Sequence, residues 1–148
     1  MAVVLIAGGG PEILRVCREH ADIVAIVAAG AGARPLSAAD VSVEKAREQI
    51  AVVDVAAGDR AASIELSMFV DVTLTDDRDA TIRELAARRR ADPATLEASI
   101  YRGIGTIEHV RAHVLQVREQ LGITYFCLRG PDVEALGPIV QELTGLTG

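Results

Sequence analysis

The chain has 148 residues, half of them apolar, and a net charge of −6. That length supports one domain burying roughly 70% of its unfolded surface, and the composition excludes a disordered segment. The acidic balance argues against nucleic acid as the main partner, and no stretch approaches the roughly 20 apolar residues of a membrane span.

Strands and helices alternate along the sequence. The first strand is Val3 to Ala7, followed by Gly8-Gly9-Gly10 and a helix from Pro11 to about Ala21. Ile13, Leu14, Cys17 and Ala21 share one face of that helix. A glycine turn between strand and helix lets backbone approach a ligand closely, and the N–H groups of the helix's first turn favour an anion. Pro11 suits the first helical position, where its missing N–H costs nothing. The same residues also describe a tight connection with no ligand.

The second strand, Asp22 to Ala28, is apolar almost throughout, and a glycine- and alanine-rich loop runs from Ala29 to Val41. Ser42 caps a helix reaching about Ala57, which Gly58-Asp59 stops. The third strand is Ile64 to Thr75. Asp76 or Asp77 then caps a helix through about Arg90, and Asp92-Pro93 breaks it. A short helix spans about Thr95 to Ser99, and Tyr101 to Gly105 reads as loop. Thr106 caps a helix from Ile107 to Leu121, whose core face is Ile107, Val110, Val114, Val117 and Leu121. Gly122 ends it. The fourth strand is Ile123 to Leu128, and a last helix runs from Asp132 to about Leu143.

Four βα units in a single domain, residues 1–148, predict an α/β fold with parallel strands. In the third strand Glu65, Ser67 and Asp71 share one side. In a barrel they point inward, toward an active site at the strands' C-terminal ends. In an open, flavodoxin-like sheet the same strand is an edge with one wet face. Both architectures fit the pattern.

Several chemistries fail on residues. The dinucleotide fingerprint lacks its third glycine, at Ile13, and no acid closes the second strand. A P-loop is excluded because the only lysine is Lys45. No serine sits in a nucleophile elbow. His109 and His113 are four apart on one helix, but Val110 stands where a zincin needs Glu, so they read as helix-surface histidines and no metal is expected. His20 closes the first helix, where a cation suits the dipole, and Asp76-Asp77 reads as a cap pair. Arg88-Arg89-Arg90 reads as a solvated helix face. Cys17 and Cys127 make no disulfide framework and read as buried, inert thiols. With no basic segment ahead of the first strand, the expected compartment is the cytoplasm. Arg129 ends the fourth strand beside Gly130-Pro131. In a barrel it faces the active site and supplies positive charge to a phosphate; otherwise it is an exposed loop arginine. No catalytic acid or base emerges.

Taken together, these segments resemble the luciferase-like monooxygenase superfamily of flavin- or deazaflavin-dependent barrel oxidoreductases. Leu5-Ile6-Ala7-Gly8-Gly9-Gly10 is similar to its strand-and-glycine segment, and His20-Ala21-Asp22-Ile23-Val24 to the start of its next strand. Ala57-Gly58-Asp59-Arg60 with Ile64-Glu65-Leu66 resembles the stretch before its seventh strand. Gly103-Ile104-Gly105-Thr106-Ile107-Glu108-His109-Val110 resembles a "G-T-x-E-x-V" helix start, and Arg118-Glu119-Gln120-Leu121-Gly122-Ile123-Thr124-Tyr125 the approach to its final strand. The order is closest to the branch that uses coenzyme F-420.

The resemblance implies the C-terminal half of a (β/α)8 TIM barrel, with Met1 directly before the equivalent of the fifth strand. It implies F-420 or FMN as cofactor, held through its phosphate by Gly8, Gly9, Gly10 and Arg129, and a small-molecule substrate. Glu12 departs from the Lys or Arg often found after the glycines, and a carboxylate there repels a phosphate. Half a barrel leaves two unpaired edges and an open inner face. A homodimer or a partner half-barrel is therefore expected to close the cylinder. The remaining readings are a non-catalytic binding module of the same half-barrel, or a truncated reading frame of a longer enzyme.

Overall fold

The computed structural model describes residues 2–145; Met1, placed by sequence just ahead of the first strand, lies outside them. Five parallel strands form one sheet: β1 (Leu5–Gly8), β2 (Ile23–Ile26), β3 (Glu65–Leu74), β4 (Arg102–Gly105) and β5 (Tyr125–Arg129). The helices are α1 (Pro11–His20), α2 (Val43–Ala57), α3 (Arg78–Arg89), α4 (Pro93–Ala98), α5 (Ile107–Leu121) and α6 (Gly137–Leu143). None among the described residues is long and apolar enough to cross a membrane.

The helix starts follow the expected capping chemistry. Ser42 accepts from the Lys45 amide at 3.2 Å, Asp77 from Ala80 at 3.0 Å, Asp92 from Ala94 at 2.9 Å and Thr106 from His109 at 3.2 Å. Each satisfies a first-turn N–H that has no helical partner. Gly122 (φ 68°) ends α5 in the left-handed conformation that favours glycine. The last helix is shorter than its sequence suggests: Val133–Leu136 form a 3-10 turn, and α6 begins only at Gly137.

β3 organises the sheet. Its first residues pair with β2 (Ile23↔Glu65 through Ile26↔Met68) and its last with β4 (Asp71↔Arg102 through Leu74↔Gly105). β5 pairs across the middle, Ser67↔Tyr125 through Asp71↔Arg129. Because β5 overlaps both ranges, β2 and β4 must share the opposite edge. β4 is therefore an addition alongside the run β1, β2, β3, β5, and of segment 101–105, expected as loop, Arg102–Gly105 is corrected to a strand while Tyr101 stays in the turn before it. β3 is central, which removes the edge-strand reading of Glu65, Ser67 and Asp71. The strands of the main run follow chain order, so the reversal of a flavodoxin-like sheet is absent.

Register places alternate residues on opposite faces. One face carries Val24, Ile26, Met68, Val70 and Val72, all at most 4% exposed. They pack on Leu14 and Cys17 of α1, Ala46 and Val53 of α2, Val110 and Val117 of α5 and Ile139 of α6. The other face carries Leu5, Ala7, Ile23, Ala25, Ser67, Phe69, Tyr125 and Cys127. Only its C-terminal end has a helical neighbour: Ile82, Leu85 and Ala86 of α3 and Leu96 of α4 cluster with Ile104 of β4. Leu5 (41% exposed) and Tyr125 (44%), at the two ends of that face, lie open. The outer edges of β1 and β5 have no strand neighbour among the described residues. One face is shielded by helices and the other only in part, with Ala25 and Ser67 buried but Leu5 and Tyr125 exposed; this is the arrangement of a half TIM barrel.

Candidate functional site

Gly8, Gly9 and Gly10 form the turn at the C-terminal end of β1, as expected. Gly10 is the N-cap of α1, with extended backbone (φ −88°, ψ 150°) and no side-chain cap. Leu14 makes the first helical hydrogen bond, to the Gly10 carbonyl at 3.1 Å. Pro11 has no N–H, so Glu12 and Ile13 present the unclaimed first-turn amides. A Cβ on Gly10 would meet nothing within 4 Å. Open space, two donors and the positive dipole end suit a phosphate-sized anion. The Glu12 carboxylate, expected to repel an anion, is paired with Arg15 at 2.8 Å one turn on.

Gly9 has a different cause. A Cβ there would lie 2.7 Å from the Val27 carbonyl oxygen and 2.8 Å from that of Ala28. Packing of the β1 end on the β2 end requires glycine, with or without a ligand. Gln49 of α2, 4% exposed, locks this junction: its Nε2 donates to the Gly9 carbonyl at 2.8 Å and to the Val27 carbonyl at 3.0 Å. Sequence reasoning missed Gln49. Its only signal is a lone amide between Ala46 and Val53 on the buried face of α2.

A cavity of about 840 Å³ opens on the inner face at the C-terminal ends of β2, β3 and β5. Phe69, Asp71 and Arg129 come from the strands, Val27 follows the end of β2, Leu36 and Val41 come from the loop beyond it, and Leu96 from α4. That loop is braced by Asp40, whose carboxylate accepts both Arg34 guanidinium nitrogens at 2.7 Å and the Ser37 amide and hydroxyl at 2.8 Å. Arg34 first, then Ser37, hold the Asp40 carboxyl well below the usual carboxylate range. The loop is tied to β4 through the Ile100 amide, which donates to the Val41 carbonyl at 3.1 Å. The Tyr101 hydroxyl is buried with no hydrogen-bond partner among the described residues, and burial pushes its pKa up.

Arg129 is the last residue of β5 and lines this cavity, so it is not a loop residue. Its Nε donates to Asp71 at 3.0 Å, and its guanidinium lies 4.9 Å from the Phe69 ring centroid. Within one chain the structure does not bring Arg129 to Gly8–Gly10: β2 and β3 separate their strands. The Arg88-Arg89-Arg90 run divides. Arg88 pairs with Glu84 at 3.9 Å, while Arg89 and Arg90 border the cavity.

His109 is exposed and His113 half-buried. The described residues contain no cluster of three His, Cys, Asp or Glu side chains able to hold a metal. His113 Nε2–H donates to the Ile100 carbonyl at 2.8 Å, and burial, opposed by that bond, holds the imidazole below its ordinary pKa of 6.5. The fold thus favours the neutral ring. As pH falls below that value the unfolded chain binds a proton that the folded chain refuses, so stability declines. Denaturant midpoints are expected to drop between about pH 7 and pH 5, and the drop should shrink in His113→Gln. An identical slope in both proteins would refute the assignment. Loss of the Asp40 contribution falls in a separate window, below that carboxyl's ordinary value of 3.8. Cys17 is fully buried and its thiol is pushed up by burial, whereas Cys127 is only half-buried, on the open inner face.

The sequence matches no protein-family profile and no curated protein. Solved structures do match. An F420-dependent secondary alcohol dehydrogenase in complex with an F420-acetone adduct superposes with a TM-score of 0.64 at 17% identity, over 97% of this chain and 48% of its own. EDTA monooxygenase (EmoA) from Chelativorans sp. BNC1 gives 0.64 at 14% identity, over 95% and 44%. The coenzyme F420 dependent tetrahydromethanopterin reductase from Methanopyrus kandleri gives 0.59 at 12% identity, over 92% and 48%. The chain spans a little under half the length of each. At these identities the likeness shows the fold: a parallel α/β unit equivalent to half of the TIM barrel these oxidoreductases share.

Proposed function

We propose that this chain is a luciferase-like oxidoreductase half-domain, equivalent to the C-terminal half of the barrel, that binds F-420 or FMN. The observation that carries the reading is the Gly10 turn: an uncapped helix N-terminus with open space before it, at the strand end where barrel enzymes hold phosphate. Bound there, the cofactor would supply the hydride chemistry. The chain's part is to hold the phosphate on the Glu12 and Ile13 amides and to present the inner-face cavity, with its apolar wall of Leu36, Phe69 and Leu96, at the same end of the strands. The likeness to F420-dependent structures supports this choice of cofactor. Titration of F-420 or FMN should give saturable fluorescence quenching. No quenching up to about 1 mM cofactor, roughly −4 kcal/mol of binding, would instead favour a non-catalytic module.

The half-cylinder is completed by a second copy of the chain. β1 and β5 carry unpaired, parallel edges at opposite ends of the sheet, so each offers what the other lacks. A two-fold axis along the cylinder pairs β1 of one protomer with β5 of its partner. The matched structures are about twice as long as this chain, which is the length two copies supply. Closure also sets Arg129 of one protomer beside the glycine turn of the other, the neighbourhood a single chain does not provide.

A further inference from the structure

We propose that the cavity at the C-terminal ends of the strands takes an organic anion with an apolar body, its carboxylate or phosphate held by Arg102 and Arg89. Arg102 opens β4 and stands in register with Asp71, which has Arg129 on its other side. Asp71 is already hydrogen-bonded to Arg129 at 3.0 Å, and the carboxylate of Asp92 caps α4. The Arg102 guanidinium makes no hydrogen bond or ion pair with any described residue, although the residue is half-buried. The cavity therefore carries Arg89, Arg90, Arg102 and Arg129 against Asp71 and Asp92, in a chain whose overall charge is −6.

Helix polarity does not explain the excess. Arg89 and Arg90 lie at the end of α3, where the dipole favours cations, but Arg102 is on a strand. A half-buried guanidinium with no hydrogen bond is costly: burial and the like charge of Arg89 outweigh the attraction of Asp71, which Arg129 already claims, and weaken its hold on its proton. An anion between Arg102 and Arg89 relieves both effects. Leu36, Phe69 and Leu96 make the adjoining wall apolar, so the matching ligand has a hydrocarbon or aromatic body. The term substrate for this ligand rests on the oxidoreductase reading; the binding does not, because Gly8–Gly10 are not part of the cavity wall.

The test is calorimetric titration of the intact protein with phenyl phosphate, benzoate and inorganic phosphate. Phenyl phosphate and benzoate should saturate, with inorganic phosphate about tenfold weaker for want of the apolar contact. Arg102→Gln should weaken phenyl phosphate about tenfold, and Arg89→Gln, at an exposed helix end where folding is safe, severalfold. Gly10→Asp should leave phenyl phosphate binding unchanged, which separates this site from the cofactor turn. Equal affinity in Arg89→Gln and wild type, no saturation by roughly 10 mM, or inorganic phosphate binding as tightly as phenyl phosphate would overturn the proposal.

Discussion

Replacing Gly10 by Asp is expected to abolish cofactor binding while leaving the fold as stable as before, or slightly more so. Gly10 has ordinary extended backbone angles and empty space around its missing Cβ, so an aspartate fits without strain. Its carboxylate would cap α1 by accepting from the first-turn amides, a better cap than glycine by a few tenths of a kcal/mol. Those amides are the ones a phosphate would use, and the new negative charge repels it as well. Losing two charge-assisted hydrogen bonds corresponds to roughly a hundredfold weaker binding. Fluorescence titration of F-420 or FMN checks the affinity, and a thermal melt checks the fold. Unchanged quenching in a folded Gly10→Asp protein would remove the glycine turn from the cofactor site.

Gly9→Ala should behave in the opposite way, as a stability mutant. The added methyl would sit 2.7–2.8 Å from two backbone carbonyl oxygens, and neither can rotate away as a side chain would. Relief means separating the ends of β1 and β2 and stretching the Gln49 bridge that joins their carbonyls. Overpacking of this kind costs about 3 kcal/mol or more, which lowers the melting temperature by about 10 °C in a domain this size. A melt within about 2 °C of wild type would show that the strand ends can part freely. The contrast between neighbouring glycines matters for any binding experiment: a charge placed at Gly9 would damage the fold, whereas one at Gly10 probes the ligand site.

Much of the fold is legible in the sequence because its signals are local. Apolar runs at β2 and the helical spacing of Val110, Val114, Val117 and Leu121 define elements on their own, and Ser42, Asp77 and Thr106 mark helix starts. β4 is illegible because Arg102-Gly103-Ile104-Gly105 has no strand pattern. It becomes a strand only because β3 runs six residues beyond its pairing with β2 and leaves one edge free. The start of α6 is blurred for a similar reason, since Val133–Leu136 turn helically without joining the α-helix.

The site divides along the same line. The Gly8–Gly10 turn is visible as a string of residues, but the separate duties of Gly9 and Gly10 depend on which backbone lies across from each. Arg129 is legible as a strand-end arginine, yet its ion pair with Asp71 and its stacking on Phe69 arise from register between β3 and β5. Arg102 carries no sequence signal and Gln49 only that of a lone amide on a buried helix face, because what distinguishes them is a guanidinium with no hydrogen bond in one case and two carbonyls from distant segments in the other.

The proposed closure by a second copy rests on the β1 and β5 edges, which have no strand neighbour among the described residues, and the solution mass tests it most directly. Light scattering coupled to size exclusion at micromolar concentration should give twice the 15.6 kDa mass of one chain. A single 15.6 kDa species under those conditions would contradict closure of the half-cylinder by a second copy.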